Sequence, residues 1–304
     1  MKEDGILPLH KPRGMTSHDC VAKLRKLLRT KRVGHTGTLD PAVTGVLPIC
    51  VNRATKVAEY MSAYNKTYEA TISIGTSTTT EDQTGEVVEQ QNPGNIALAD
   101  VQKVLESFVG EIEQTPPMFS AVKVKGKRLY EYAREGITIE RPSRKVMIHS
   151  IELLSDPEYN STNHVDFSIR VTCSKGTYIR TLAVDIGKSL GKPAHMSNLT
   201  RTKSGPFSLE DSFTFEEIEQ HLNDEKPAEE LFLPIEQALS IFPAVTVTSE
   251  VEQKILNGAV IEETKELSNP RSAVYNERGE CLAIYVRHPN RPGWVKPEKV
   301  IKIH

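Results

Sequence analysis

The stretch Gly34-His35-Thr36-Gly37-Thr38-Leu39-Asp40-Pro41-Ala42-Val43-Thr44-Gly45 decides how this chain reads. It sets one carboxylate among flexible and rigid residues in a way that folding alone does not require. Gly34, Gly37 and Gly45 can take backbone angles closed to other residues, and Pro41 pushes Asp40 out of helical geometry toward an extended conformation. The pattern predicts an active-site loop that presents Asp40. The next acid along the chain is Glu59, so the paired carboxylates of an ordinary glycosidase are not offered locally. Asp-Pro between glycines is also common turn chemistry, and the loop by itself leaves that plainer reading open.

A chain of 304 residues exceeds the usual single-domain size, which predicts one large domain and a small one. Its 38% hydrophobic content suffices for a core, while a mean hydropathy of -0.38 and the lack of a long apolar run exclude a membrane span. The mixed charges of Met1-Lys2-Glu3-Asp4-Gly5 fit neither a secretory signal nor an Arg-rich transit peptide, so the expected location is the cytoplasm. Cys20, Cys50, Cys173 and Cys281 are far apart and form no ligand pair; they read as buried thiols, not as a disulfide framework or a zinc site. The nine histidines lack ligand spacing and no Gly-rich phosphate loop is present, so neither a cofactor nor a metal is implied.

Net charge is only -2, but its distribution is uneven. Residues 11–32 hold eight Lys/Arg against Asp19 alone, and residues 119–147 hold eight against Glu131, Glu135 and Glu140. Nine acids against Lys226 within residues 210–230 compensate. One such run is usually a solvated helix face; two basic runs on either side of a candidate active loop favour a polyanionic substrate.

Val21, Leu24, Leu27 and Leu28 have helical spacing over residues 19–28, with basic residues on the other face. Residues 68–75 and 165–173 alternate as strands, and residues 98–108 and 178–190 read as helices, the first with Asp100 as N-cap and the second closing at Gly191. This irregular alternation predicts an α+β domain and not a Rossmann-like repeat. Acidic helices and a connector are expected over residues 208–240. Beyond Ile241-Phe242-Pro243 come short strands, with a hairpin over residues 272–286 turning near Arg278-Gly279.

The Asp40 loop resembles, nearly residue for residue, the catalytic motif of the TruB family, the tRNA pseudouridine-55 synthases. Lys11-Pro12-Arg13-Gly14-Met15-Thr16-Ser17, Asn65-Lys66-Thr67-Tyr68-Glu69-Ala70 and Cys173-Ser174-Lys175-Gly176-Thr177-Tyr178-Ile179-Arg180-Thr181 resemble further motifs of that family, in its order. Pro116-Pro117-Met118-Phe119-Ser120-Ala121-Val122-Lys123, with Gly126-Lys127-Arg128-Leu129-Tyr130 after it, resembles the insertion by which stand-alone members grip the T arm of tRNA. The resemblance spans residues 5–207. It implies the pseudouridine synthase fold, a mixed and largely antiparallel sheet flanked by helices and loops, over residues 1–240, with the tRNA-gripping insertion at about 119–147. Residues 241–304 resemble a shortened PUA-like RNA-binding β domain.

Pseudouridine formation breaks the bond between uridine N1 and ribose, turns the base and joins its C5 to the same sugar carbon. It needs a carboxylate near the sugar and a pocket that retains the base. The resemblance implies Asp40 as the essential carboxylate, whether by attack on the sugar, attack on the base or removal of a ribose proton. A uridine in a folded loop must first be unstacked. His35 then corresponds to the residue that supports the displaced stack, Tyr68 to the aromatic that stacks on the flipped base, and Tyr178 and Leu199 to walls of the base pocket, though a plain core leucine also suits Leu199. Arg180 corresponds to the partner of Asp40, since a planar guanidinium can hold a carboxylate through two hydrogen bonds. Lys123, Lys125, Lys127 and Arg128 are expected on the RNA backbone. Where relatives carry a Thr-Asp-Thr-x-Asp-like loop, this chain has Thr78-Thr79-Thr80-Glu81-Asp82 and keeps only Asp82, which weakens any supporting role inferred for the loop.

The implied partner is the T arm of tRNA, with no membrane and no obligate protein partner, so a monomer is expected. Three alternatives remain: a non-catalytic RNA-binding or RNA-folding module, which gives no reason for Asp40 and Arg180; a nucleoside or glycoside hydrolase, which lacks its second carboxylate; and a guide-RNA-dependent synthase, whose relatives lack an insertion like residues 126–141.

Overall fold

The computed structural model describes residues 4–160 and 162–302. Its contacts define two units, Met1–Pro41 with Val46–Ala63 and Gly205–His304, and Ala42–Gly45 with Tyr64–Ser204.

The second unit is built on antiparallel strands in the order Ala194–Ser204, Lys66–Ile74, Val165–Cys173, Arg144–Leu153 and Gly110–Gln114. Lys66–Ile74 and Val165–Cys173 pair without a break from Lys66 opposite Cys173 to Ile74 opposite Val165. Alternation decides their two faces. Ala70, Ile72 and Ile74 meet Ile169, Phe167 and Val165 on the buried side, while Glu69 lies opposite Arg170 on the other and accepts from it at 2.8 Å. Helix Ile179–Ser189 returns over the buried face and inserts Leu182, Ala183 and Ile186.

Gly187 lets that helix lie close to the sheet. A Cβ there would stand 2.3 Å from the Ala194 Cβ and 2.9 Å from the Lys192 carbonyl. Gly187→Ala is therefore expected to lower stability by about 1–3 kcal/mol through overpacking. Urea unfolding checks this, and an unchanged midpoint would mean that helix and strand separate freely.

In the first unit, Gly5–Lys11 and Val33–His35 flank residues 46–51 of strand Thr44–Val51. Segments from farther along the chain close over Gly5–Lys11: the His10 N–H donates to the Phe213 carbonyl at 2.8 Å, and the Ile6 N–H to the Leu233 carbonyl at 2.9 Å. Helix Ser17–Leu27 starts two residues earlier than its apolar spacing predicts, because Thr16 and Asp19 form a capping box. The Thr16 hydroxyl accepts from the Asp19 N–H at 3.0 Å and the Asp19 carboxylate accepts from the Thr16 N–H at 2.9 Å; the Thr16 hydroxyl also donates to that carboxylate at 2.6 Å, and this bond first, then the N–H one, lowers the Asp19 pKa. Helix Leu98–Ser107 in the second unit is corrected likewise. Its N-cap is Ala97, and Asp100 lies in the first turn, where a carboxylate favours the positive end of the helix dipole.

The acidic segment is partly used up on the basic one. Helix Phe215–Asn223 brings Glu219 to 2.9 Å from Lys23, whose ammonium also sits 4.3 Å from the Phe215 ring centroid. Arg25 donates to the Val33 carbonyl at 3.1 Å, so Lys23 and Arg25, among the eight cations counted over residues 11–32, serve the fold.

The last strands form a half-barrel in the order Ala244–Thr246, Arg271–Tyr275, Cys281–Arg287, Trp294–Val300 and Ile261–Glu262. Val274, Leu282, Tyr285 and Val295 build its core with Ile255 of helix Ser249–Leu256. Its hairpin turns where expected: the Asn276 side chain accepts from the Arg278 and Glu280 N–H groups, and Gly279 takes φ 78°. Within the same unit the Tyr60 hydroxyl donates to Glu298 at 2.9 Å, and Arg271 grips that carboxylate with Nε and Nη2.

All four cysteines are buried and free. Burial pushes the Cys50 and Cys281 thiols up to about 12 and Cys173 to about 11, so they behave as small apolar groups. The described residues include no helix long and apolar enough to cross a membrane.

Candidate active site

Asp40 is half-buried and held between two anchored neighbours in the first unit. On one side, the Leu39 N–H donates to the Ser17 hydroxyl at 2.9 Å, and that hydroxyl donates to the Leu39 carbonyl at 3.2 Å. On the other, the Pro41 carbonyl accepts from the Gly14 N–H at 2.8 Å and from the Lys11 ammonium at 3.4 Å. Lys11 is wholly buried and also donates to the Pro12 carbonyl at 2.9 Å. The segment Lys11–Ser17, which the sequence marks only as a motif, is thus the clamp on the Asp40 loop. Fixing the backbone on both sides of a carboxylate keeps it aimed before any ligand arrives.

The loop enters from strand Val33–His35, where His35 is half-exposed and pairs with Ile49. It leaves through Thr44–Gly45, which pairs in parallel with Thr200–Arg201 inside the second unit. Gly45 has φ 115°, and a Cβ there would lie 2.2 Å from the Arg201 carbonyl oxygen, so no other residue fits. Gly34 differs from the sequence expectation: it continues an ordinary strand with open space around its Cβ position.

In the second unit, Tyr68 and Leu199 share one sheet face. Arg201 and Leu199 lie opposite Tyr68 and Ala70 in register, which puts all four on the same side. Leu199 is buried and Tyr68 half-exposed. Helix Ile179–Ser189 begins shortly after Cys173, whose partner is Lys66. The buried Gln114 fixes the entry: its carboxamide oxygen accepts from the Tyr178 N–H at 3.0 Å and its NH2 donates to the Tyr178 carbonyl at 3.2 Å. The Arg144 guanidinium stacks 4.8 Å from the Tyr178 ring centroid. Nearby, burial depresses the Lys66 ammonium to about 8, with the Arg201 charge adding to the effect.

Arg180 is buried and forks between two segments. Nη1 donates to the Thr80 carbonyl at 2.9 Å and Nη2 to the Phe119 carbonyl at 2.8 Å, while the Asp82 carboxylate lies 3.6 Å from Nη1. Asp82 is oriented in turn by Thr80 and Thr84, whose hydroxyls donate to its Oδ1 at 2.8 and 2.5 Å. The supporting role discounted from sequence is therefore present: the Thr78–Asp82 loop holds Arg180. The signal that could have found it was Asp82-Gln83-Thr84, a local turn that leaves a second carboxylate oxygen free to face a cation.

The basic insertion is a hairpin, Lys123–Val124 with Lys127–Arg128, whose turn residues Lys125 and Gly126 both have positive φ. Its four cations do not share a face. Lys123 pairs with Arg128, while Lys127 points with Val124 to the other side, binds Glu135 and lies 4.9 Å from the Tyr132 ring centroid. Lys123, Lys125 and Arg128 are exposed. Among the described residues no group of His, Cys, Asp and Glu is arranged to hold a metal.

A family profile described as TruB family pseudouridylate synthase (N terminal domain) matches residues 25–179, and one described as tRNA pseudouridylate synthase B C-terminal domain matches residues 180–240. The chain is 60% identical over 304 residues to tRNA pseudouridine synthase B of Halalkalibacterium halodurans, with 99% of this chain and 98% of that protein covered. It is 54% identical over 299 residues to the protein of the same name from Bacillus cereus, covering 98% and 97%. Its fold resembles a chain of a Cbf5-Nop10-Gar1 complex with TM-score 0.76 and 28% identity over 98% of this chain and 85% of that one. A chain of an H/ACA RNP bound to a substrate RNA containing 2'-deoxyuridine aligns with TM-score 0.74 and 25% identity, covering 98% and 85%.

Proposed function

The chain belongs to the TruB family of pseudouridylate synthases, and on that premise we propose that it isomerises uridine 55 in the T loop of tRNA, with Asp40 as its essential carboxylate. The observation that carries this reading is the double anchoring of Asp40 through Leu39 and Pro41. A loop needed only to reverse the chain has no use for a buried lysine and a buried serine aimed at the neighbours of one acid. The names of the relatives at 60% and 54% identity support tRNA as the substrate.

The target base leaves its stack and enters a pocket walled by Tyr68, Tyr178 and Leu199, while His35 fills the space it vacates. Arg180 gives catalytic support through its forked guanidinium. The glycosidic bond then breaks and the base rejoins the sugar through C5, with no net change in oxidation state, so the reaction proceeds without a cofactor. The catalytic domain comprises residues 1–240 and works as a cytoplasmic monomer. Residues 241–304 add RNA contacts without forming the pocket.

The insertion grips phosphate through its exposed cations. Replacing Lys123, Lys125 and Arg128 together with Ala should weaken tRNA binding and flatten its dependence on salt by roughly one unit of log–log slope per lost phosphate contact. A salt titration with an unchanged slope would return this hairpin to an ordinary solvated surface.

A further inference from the structure

We propose that Glu81 is a positioning residue for the reaction: through Thr181 it ties down the first turn of helix Ile179–Ser189 and thereby sets the direction of the Arg180 guanidinium. This rests on the catalytic role proposed above for Arg180.

Glu81 sits at φ 63°, in the left-handed region that residues other than glycine, asparagine and aspartate avoid. A turn alone would favour one of those three, so the long acidic side chain is there for a contact. Its carboxylate accepts a hydrogen bond from the buried Thr181 hydroxyl at 2.7 Å. The backbone around it is equally fixed. The Glu81 N–H donates to the Thr78 carbonyl at 3.2 Å, its carbonyl accepts from the Met196 N–H at 3.1 Å, and the Gln83 N–H returns to the Met196 carbonyl at 3.1 Å.

The tie falls where the helix is weakest. The first turn of a helix has no intrahelical partners for its N–H groups, and Tyr178 supplies no side-chain cap here. Three successive residues of one loop instead hold two successive residues of that turn: Thr80 and Asp82 face Arg180, and Glu81 holds Thr181. A swing of the turn would move Arg180 off the Thr80 and Phe119 carbonyls together. Burial raises the pKa of Glu81, while the Thr181 hydrogen bond and the positive charges of Arg180 and Arg141 pull it back. The chain thus places its second acid of this loop at position 81, beside Asp82, where it meets the helix.

The test uses the full-length protein with Glu81→Ala, Glu81→Gln, Thr181→Val, Thr181→Ser and the Glu81→Ala/Thr181→Val double variant. Single-turnover pseudouridine formation at saturating tRNA, tRNA Kd, thermal midpoint and the NMR signal of the Arg180 Nε–H are read for each. Glu81→Ala and Thr181→Val should each slow the single turnover by roughly tenfold to a hundredfold, as a reacting group displaced by about 1 Å does, and should broaden the Arg180 signal. Kd should stay within about twofold of the parent, because the tie serves alignment and not grip. Glu81→Gln and Thr181→Ser, which keep an acceptor and a donor, should retain most of the rate. The double variant should be no slower than the worse single one, because both remove the same link. Parental rates in Glu81→Ala, additive losses in the double variant, or a Glu81→Gln as slow as Glu81→Ala would each overturn the proposal. So would a rate loss matched by equal losses in Kd and thermal midpoint. Should the parent form no pseudouridine, the catalytic reading fails, and a sharp Arg180 signal in Glu81→Ala would then overturn the positioning role on its own.

Discussion

Asp40→Asn should bind tRNA as the parent does and form no detectable pseudouridine, with the single-turnover rate lowered by about 10²–10⁴-fold or more. The loop is anchored through the Leu39 N–H and carbonyl and the Pro41 carbonyl. An amide of the same shape therefore leaves the loop in place and removes only the charge that acts on the nucleotide. Mapping of pseudouridine after one turnover, together with a filter-binding Kd, separates the two effects. Turnover well above background would take Asp40 out of its role. A loss of binding equal to the loss of rate would make it a structural residue, and the non-catalytic RNA-binding reading would then gain.

Arg180→Lys should lose on the order of a hundredfold in single-turnover rate at saturating tRNA, with Kd changed far less. The substitution keeps the positive charge and removes the fork. In the parent, Nη1 and Nη2 reach the carbonyls of Thr80 and Phe119, one on the Thr78–Asp82 loop and the other at the root of the basic insertion. A single ammonium on a flexible stem cannot satisfy both carbonyls and still present a fixed donor to a carboxylate. A near-parental rate would show that charge alone suffices. Equal losses in rate and in thermal stability would assign Arg180 to holding the loops together.

The parts of this molecule that could be read in advance are those whose cause is local. Strand Val165–Cys173 emerges at its expected ends because its alternation is complete, and the hairpin at Asn276–Glu280 turns where its glycine lies. Helix Ser17–Leu27 starts earlier than its apolar spacing indicates because the Thr16 capping box sets the start, whereas helix Leu98–Ser107 begins where expected but with Ala97, not Asp100, at its N-cap. The support of Arg180 is hidden for a different reason: Thr80 lies a hundred positions away from it, and the local turn at Asp82-Gln83-Thr84 signals a carboxylate ready for a cation without telling which one. Lys127 is the instructive middle case. A hairpin alternates its side chains, so Lys123 and Lys127 could have been placed on opposite faces from the turn at Lys125-Gly126 alone. The acids of residues 210–230 were counted correctly, yet composition could not tell that Glu219 would meet Lys23.

The most direct test of the proposed activity is nucleotide-resolution mapping of pseudouridine in an unmodified tRNA transcript incubated with the purified protein and no added cofactor. The account predicts one new pseudouridine, at position 55, which is absent when that uridine is replaced by cytidine. A transcript bound but left unmodified, or modified only at other positions, would contradict it.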